Sequence, residues 1–180
     1  MSFVDMSSEH RIDRPTEATP EPRSHPDPGA CRVDFARAVP KVFKALIGFD
    51  AAAREGLDPA LVELVQVRAS QLNGCAYCLH MHWTDAHNAG ADDERLALVA
   101  LWRGAAHFFT ERERAALALT EALTLVAADG VPGHVYARAA DRFDEGELAH
   151  LMALILAVNT WNRIAIGTGK LAGTDQRAKR

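Results

Sequence analysis

The apolar stretch over positions 148–158 constrains the fold of this chain more than any other feature. Its residues are apolar nearly all round the helix that they would form. Just before it, Asp144 with Glu147 three positions later is a pattern typical of a helix start. A helix without a polar face is covered on every side. We therefore expect other helices to surround this one, and a second subunit to cover part of it.

Helix-start and helix-end signals recur along the chain from position 34 onward. Asp58 and Pro59 predict the start of one helix and Gly74 its end, while Thr110 with Glu113 predicts another start. Leu and Ala dominate, β-branched residues are few, and no strand alternation, internal repeat or phosphate-binding loop occurs. The predicted helices cover roughly 40–55, 59–73, 75–90, 92–102 and 110–128, with two more starting near 132 and 144. The sequence predicts an all-α fold.

The N-terminal segment differs in composition from the rest of the 180 residues. Five prolines between positions 15 and 28 alternate with charged and small residues, without a periodic apolar face. Such a segment buries too little apolar surface to offset its ordering entropy. We expect a Pro-rich mobile tail over 1–33, one helical domain over 34–170 and a flexible C-terminus over 171–180.

Charge and hydropathy argue against several classes of protein. A net charge of -4 gives no electrostatic reason to bind nucleic acid or an anionic membrane surface. Positions 1–10 lack the apolar core of a signal peptide, and the longest apolar run, 151–158, is far shorter than the ~20 residues of a membrane span. We expect a cytoplasmic protein. In a reducing cytosol, two closely spaced cysteines are more often catalytic or metal-binding than structural.

A Cys-Ala-Tyr-Cys motif at the start of the third predicted helix carries the candidate chemistry. On a helix, Cys75, Cys78 and His82 fall within about 60° of one another, so two thiols and an imidazole share one stripe. A helix N-terminus favours the thiolate, which reacts with peroxides. A second thiol one turn away condenses with the resulting sulfenic acid to a disulfide. The stripe therefore indicates thiol redox chemistry.

Two other interpretations of the motif stay open. A zinc site would use Cys75, Cys78 and His82, but no second Cys or His pair supplies the usual fourth ligand. Alternatively, the cysteines are small buried apolar residues and His82 is an ordinary core or surface histidine. Because all three share a stripe at a helix start, we favour redox function, with neither metal nor cofactor. Cys31 has no evident partner.

Helical periodicity places Glu63 away from the apolar stripe of its own helix. It falls on the opposite side, beside Gln66 and Ser70. Periodicity alone therefore predicts a solvated carboxylate. Val67 lies on that side too, which leaves room for the following helix to cover this second face.

The order and spacing of Glu63, Cys75, Cys78 and His82 resemble those of the alkylhydroperoxidase AhpD-like proteins, within the carboxymuconolactone decarboxylase superfamily. The surrounding Leu-Asn-Gly-Cys-Ala-Tyr-Cys at 72–78 resembles them as well, as do positions 110–124 and 159–163. The resemblance covers roughly 35–166. It implies a compact AhpD-like helical bundle that forms a homo-oligomer, a trimer or a hexamer.

The resemblance also implies an activity and a set of site residues. In such proteins the second cysteine, here Cys78, attacks a hydroperoxide, and the first, here Cys75, resolves it to a disulfide. The histidine and glutamate, here His82 and Glu63, relay protons, which requires Glu63 to face the third helix. The reductant is an external thiol, such as a lipoylated protein or a thioredoxin-like donor. Tyr77 departs from the pattern, since some members carry a histidine there.

Two alternatives to this thiol-dependent peroxidase are a redox sensor and a lactone enzyme. The apolar last helix needs a partner surface, so the disulfide could switch an interface without turnover. The decarboxylase branch of the superfamily lacks the cysteine pair, which argues against lactone decarboxylation.

Five further residues are interpreted from spacing alone. Trp83 and Trp102 are predicted to lie in the core or an interface. Asn159, Asn162 and Arg163 share one helix face, where they either approach the site or cap and solvate the end of the helix.

Overall fold

The computed structural model describes residues 32–175, and these residues contain helices and turns but no β-strand. The all-α prediction is confirmed. Positions 1–31 of the predicted tail and positions 176–180 of the predicted C-terminus lie outside the described residues. The longer helices are α2 (Pro40–Ala53), α3 (Pro59–Leu72), α4 (Ala76–Asn88), α6 (Glu111–Thr124) and α9 (Glu145–Thr168). The shorter ones are α1 (Phe35–Ala38), α5 (Asp93–Leu98), α7 (Val126–Asp129) and α8 (Gly133–Ala140), with 3-10 turns at Val99–Leu101 and Ala106–Phe108.

Side-chain caps start three of the long helices where the sequence predicts them. The Asp58 carboxylate accepts two backbone N–H groups from the first turn of α3, at 2.7 and 3.2 Å. Thr110 with Glu113 and Asp144 with Glu147 form reciprocal capping boxes at α6 and α9. Each cap satisfies N–H groups that have no partner within the helix.

The predicted helix over 110–128 is interrupted in the structure. α6 ends at Thr124, and the short α7 follows after Leu125. Leu125 and Val126 are about half exposed. Because no apolar face is buried beyond Thr124, tertiary packing does not hold the helix straight there.

α9 is the core helix that its sequence predicts, but it is not covered all round within this chain. Leu151, Leu154 and Ile155 are fully buried, and the helix packs on α2, α3 and α6. Leu156 and Ile166 are exposed by 52% and 47%. By length and composition alone α9 is apolar enough to cross a membrane, yet half of it is buried inside the bundle. α9 is therefore a core helix with some apolar residues on one side that this chain leaves exposed.

Glu121 on α6 joins α3 to the turns before α6. Its Oε1 accepts hydrogen bonds from Arg68 Nε and Trp102 Nε1, both at 2.8 Å, and its Oε2 pairs with Arg103. Burial alone would raise the pKa of Glu121, but the bonds from Trp102, Arg103 and Arg68 outweigh it and hold the pKa below its ordinary value. The ionised carboxylate therefore contributes to stability.

We expect Glu121→Gln to lower the free energy of unfolding by about 1–2 kcal/mol at pH 7, since it weakens these charge-assisted bonds in a partly solvated site. A pKa lowered by folding adds stability above the unfolded value near 4.5 and loses it as the pH falls through the folded value. The gap between variant and wild type should therefore narrow as the pH falls below about 4.5. Urea unfolding at pH 7 and at an acidic pH below the unfolded value measures this gap in the free energy of unfolding. Glu55→Gln, at an exposed glutamate, is the control; a gap that persists in acid would contradict the expectation.

Candidate functional site

A left-handed turn places the cysteine pair between α3 and α4. Gly74 has φ 65°, a conformation that favours glycine. Its N–H donates to the Gln71 carbonyl at 3.2 Å, and the N–H of Cys75 donates to the Ser70 carbonyl at 3.0 Å. These two bonds close the end of α3 in a Schellman motif. The chain reverses there, and Cys75 becomes the N-cap of α4.

Cys75 and Cys78 are joined by a disulfide at the N-terminus of α4, with their Cα atoms 5.3 Å apart. Sγ of Cys75 also accepts a hydrogen bond from the backbone N–H of Cys78, at 3.3 Å. Both side chains are 2% exposed. The first turn of the helix therefore directs one N–H group at Sγ of Cys75, and the N-terminus of the helix favours a thiolate when the disulfide is open.

His82 lies one turn beyond Cys78 and faces Glu63 of α3. Its Nδ1 is 3.9 Å from Oε2 of Glu63, and the two side chains are 5% and 20% exposed. This separation allows electrostatic attraction but exceeds a hydrogen bond. The periodicity-based prediction of a solvated Glu63 is wrong, because α4 packs on that second face of α3. The orientation that the family resemblance required is the observed one.

A cavity of about 900 Å³ opens between α2, α4 and α9. Cys78 and His82 line it, whereas Cys75 and Glu63 are not among its described lining residues. Most of the other lining residues are apolar or aromatic. They include Phe43 and Trp161, whose rings pack edge to face at 5.5 Å. One wall carries an ion pair between Asp50 and Arg54, at 2.9 Å.

The segments flanking the bundle complete the wall of this cavity. Residues 33–36 and 169–175 contribute to it, and the N–H of Arg32 donates to the Thr168 carbonyl at 2.8 Å. The Tyr77 hydroxyl donates to Oδ1 of Asp175 at 3.3 Å, and Nζ of Lys170 lies 4.9 Å from the centre of the Tyr77 ring. The residue between the two cysteines is thus tied to the segment that follows α9.

A partly buried network of amide side chains anchors the α3–α4 turn to α9. Nδ2 of Asn73 donates to Oδ1 of Asn159 at 3.0 Å and to Oδ1 of Asn162 at 2.8 Å. Asn162 donates in turn to Oγ of Ser70 at 3.2 Å, and Nη1 of Arg163 donates to Oδ1 of Asn159 at 2.8 Å. From the sequence alone, this face of α9 could either approach the site or cap and solvate the end of the helix. The structure places it against the turn that carries the cysteines.

Sequence reasoning singled out neither Asn73 nor the α2 wall of the cavity. Asn73 sits directly before the glycine of the turn, where its side chain reaches α9. The wall follows one helical stripe through Phe43, Ile47, Asp50 and Arg54. That spacing was visible in the sequence, but the gap between α2 and α4 that it lines depends on tertiary packing.

The two tryptophans singled out in the sequence differ in how deeply they are buried. Trp102 is 4% exposed and belongs to the core, as predicted. Trp83 is 37% exposed and stacks on the exposed ring of His87 with centroids 5.1 Å apart. Cys31 lies outside the described residues.

Comparison with known proteins assigns the chain to a family. Residues 40–122 match the carboxymuconolactone decarboxylase family. The uncharacterized protein YdfG of Bacillus subtilis (strain 168) is 32% identical over 144 residues, which are 79% of this chain and 97% of that protein.

Solved structures agree with this assignment. Protein ATU0492 of Agrobacterium tumefaciens, of unknown function and provisionally assigned to AhpD antioxidant defence, matches with a TM-score of 0.77 at 32% identity. The match covers 81% of this chain and 100% of that one. An uncharacterized peroxidase-related protein from Silicibacter sp. TM1040 gives a TM-score of 0.64 at 18% identity, covering 74% and 71%, and shares the fold. The chain belongs to the AhpD-like proteins of the carboxymuconolactone decarboxylase superfamily.

Proposed function

We propose that this protein is a thiol-dependent peroxidase in which Cys78 attacks the peroxide and Cys75 resolves the product. The observation that carries the proposal is the asymmetry of the pair. Cys78 lines the cavity together with His82, whereas Cys75 is joined to Cys78 and is not part of the described lining. A substrate in the cavity would therefore meet the sulfur of Cys78 first.

The proposed reaction begins with the thiolate of Cys78. It attacks one oxygen of a hydroperoxide, the O–O bond breaks, and the alcohol leaves with a proton from the imidazolium of His82. Cys78 is then a sulfenic acid. The Cys75 thiol attacks that sulfur, the disulfide forms and water departs. The two thiols lose two electrons in total, and the peroxide gains them.

Glu63 and His82 would move the protons of this cycle. A carboxylate close to Nδ1 stabilises the imidazolium and sets the orientation of the ring. The imidazolium would in turn stabilise the Cys78 thiolate, and His82, which lines the cavity, would protonate the departing oxygen. Burial of His82 strengthens both electrostatic effects, because little water screens them.

An external dithiol would return the pair to its reduced form by thiol–disulfide exchange. The family resemblance suggests a lipoylated or thioredoxin-like donor in a reducing, cytoplasmic setting. It also suggests a homo-oligomer, and the exposed apolar residues Leu156 and Ile166 of α9 support a subunit interface. A chain acting as a catalyst should keep its assembly in both redox states.

The same exposed residues favour a second candidate, a redox switch whose disulfide controls assembly without turnover. Light scattering with and without dithiothreitol separates the two functions. A change in oligomer size on reduction, without sustained peroxide consumption, would favour the switch. Lactone decarboxylation has no such support, since it leaves the cysteine pair unused.

The direct test is hydroperoxide consumption with dihydrolipoamide, thioredoxin or glutathione as donor. We expect many turnovers per subunit with at least one of these donors, measured by loss of cumene hydroperoxide. Stoichiometric oxidation of the thiols with every donor would contradict catalysis. Consumption that continues after both cysteines are alkylated would contradict the thiol mechanism.

A further inference from the structure

The disulfide is buried among residues of α4 and α9. Cys75 and Cys78 pack with Ala165 in a small buried cluster, and the half-buried side chain of Tyr77 packs against this cluster. Both cysteines are 2% exposed. A thiol that reduces the pair must reach one of its sulfurs directly, because exchange passes through a mixed disulfide with that sulfur. The rate of reduction therefore depends on how firmly the covering side chains are held.

The segment that follows α9 holds Tyr77 through two contacts. The Tyr77 hydroxyl donates to Oδ1 of Asp175 at 3.3 Å, and Nζ of Lys170 lies 4.9 Å from the centre of the ring. We call residues 169–175 the C-terminal strap. The strap also borders the cavity that Cys78 lines. Tyr77 is thus attached near both ends of one short segment.

The C-terminal strap is exposed along most of its length. It begins where Gly169 ends α9 in a left-handed conformation, and positions 170–174 are all exposed. The backbone N–H and the hydroxyl of Thr174 both donate to the Leu171 carbonyl, so these bonds stay within the strap. Segments with exposed backbone and few buried contacts open locally at a small cost in free energy. The strap can therefore leave Tyr77 while the helical bundle stays folded.

We propose that the C-terminal strap is a gate for reduction of the disulfide. While Asp175 and Lys170 hold Tyr77, the disulfide is shielded, and release of the strap lets an external dithiol reach it. The inference rests on the proposed function, since each catalytic cycle ends with this reduction.

The gated step is thiol–disulfide exchange. A thiolate of the dithiol forms a bond with one sulfur of the pair, the bond between Cys75 and Cys78 breaks, and the other cysteine leaves as a thiolate. The second thiol of the reductant then displaces the first cysteine. The dithiol loses two electrons and becomes a disulfide, and the cysteine pair gains those electrons and returns to two thiols.

The test replaces Tyr77 with Phe, which keeps the ring against the cluster and removes the hydroxyl. Oxidised protein is mixed with excess dithiothreitol, and the new thiols are trapped with iodoacetamide and counted by mass spectrometry over time. Tyr77→Phe should be reduced about threefold to tenfold faster than wild type, because a hydrogen bond to a carboxylate is lost. Asp175→Ala should have the same effect. The double variant should be little faster than either single one, since both changes remove the same bond.

Tyr136→Phe is the matched control, at the other tyrosine of the chain. Tyr136 lies on α8, is 47% exposed and is not among the described lining residues of the cavity, so its rate of reduction should equal that of wild type. Trypsin cleavage after Lys170 reports opening of the strap directly and should accelerate in Tyr77→Phe but not in Tyr136→Phe. Both rates should change little in about 1 M urea, because local opening exposes less surface than global unfolding.

Two results would overturn the gate. One is a wild-type rate of reduction in both Tyr77→Phe and Asp175→Ala, even if trypsin cleaves the strap faster. The other is a steep rise of the reduction rate with urea, because reduction would then follow global unfolding. If Tyr77→Phe does not fold, Asp175→Ala decides the matter by the same measurements.

Reduction by dithiothreitol requires no peroxide, so this inference and the proposed function fail separately. If wild type consumes no hydroperoxide but Tyr77→Phe is reduced faster, the peroxidase proposal falls and the gate stands. If wild type turns over and neither variant is reduced faster, the strap does not control access to the disulfide.

Discussion

Replacing Cys78 with Ser should abolish hydroperoxide consumption, with a loss of at least about a thousandfold in kcat/KM. A serine hydroxyl stays protonated at neutral pH, so the cavity would hold no effective nucleophile. Cys75→Ser should behave differently. It should consume about one equivalent of peroxide and then stop, because no neighbouring thiol condenses with the sulfenic acid. Peroxide loss, together with dimedone trapping of the sulfenic acid, measures both outcomes.

Cys31→Ser is the matched control for this pair of variants. It removes a thiol that lies outside the motif, and its turnover should equal that of wild type. If Cys78→Ser traps one sulfenic acid and Cys75→Ser consumes nothing, the roles of the two cysteines are reversed. If both variants retain the wild-type rate, neither sulfur takes part.

Replacing His82 with Asn should lower kcat/KM for hydroperoxide by about 10²-fold at pH 7, and Glu63→Gln should do the same. Each change removes a member of the relay, and general acid–base catalysis contributes about 10²–10⁴-fold in enzymes. The double variant should be little worse than either single one, because the two residues act as a unit. The deficit should shrink above about pH 8.5, where a thiol ionises without help.

Stopped-flow assays from about pH 6 to 9 give this profile, with His80→Asn as the control. His80 lies on the same helix but is exposed and does not line the cavity, so its replacement should leave the rate unchanged. A deficit in His82→Asn that stays constant across this range would assign His82 to packing. A wild-type rate in Glu63→Gln would remove the carboxylate from the relay.

The fold was predictable because local signals in the chain agree with its tertiary structure. The caps at Asp58, Thr110 and Asp144 start helices regardless of what packs on them, and Gly74 ends one by its backbone conformation alone. Such signals act within one or two helical turns. They therefore appear fully in the sequence.

The site was only partly predictable, because its parts come from separate helices. The stripe of Cys75, Cys78 and His82 follows from one helix, and it is present in the structure. The position of Glu63 depends on α4 covering a second face of α3, which periodicity does not encode. Only the family resemblance gave its orientation. The residues of α2 that line the cavity carry no local sequence signal for the space beside them.

The left-handed glycine before the cysteine pair sets a limit on how this sequence can diverge. Any other L-residue at Gly74 would cost about 1–2 kcal/mol in backbone conformation, although open space surrounds the position. A chain that relieved this cost by relaxing the bend would displace both sulfurs together. The motif thus limits mutation at the residue before it as well, although that residue has no side chain.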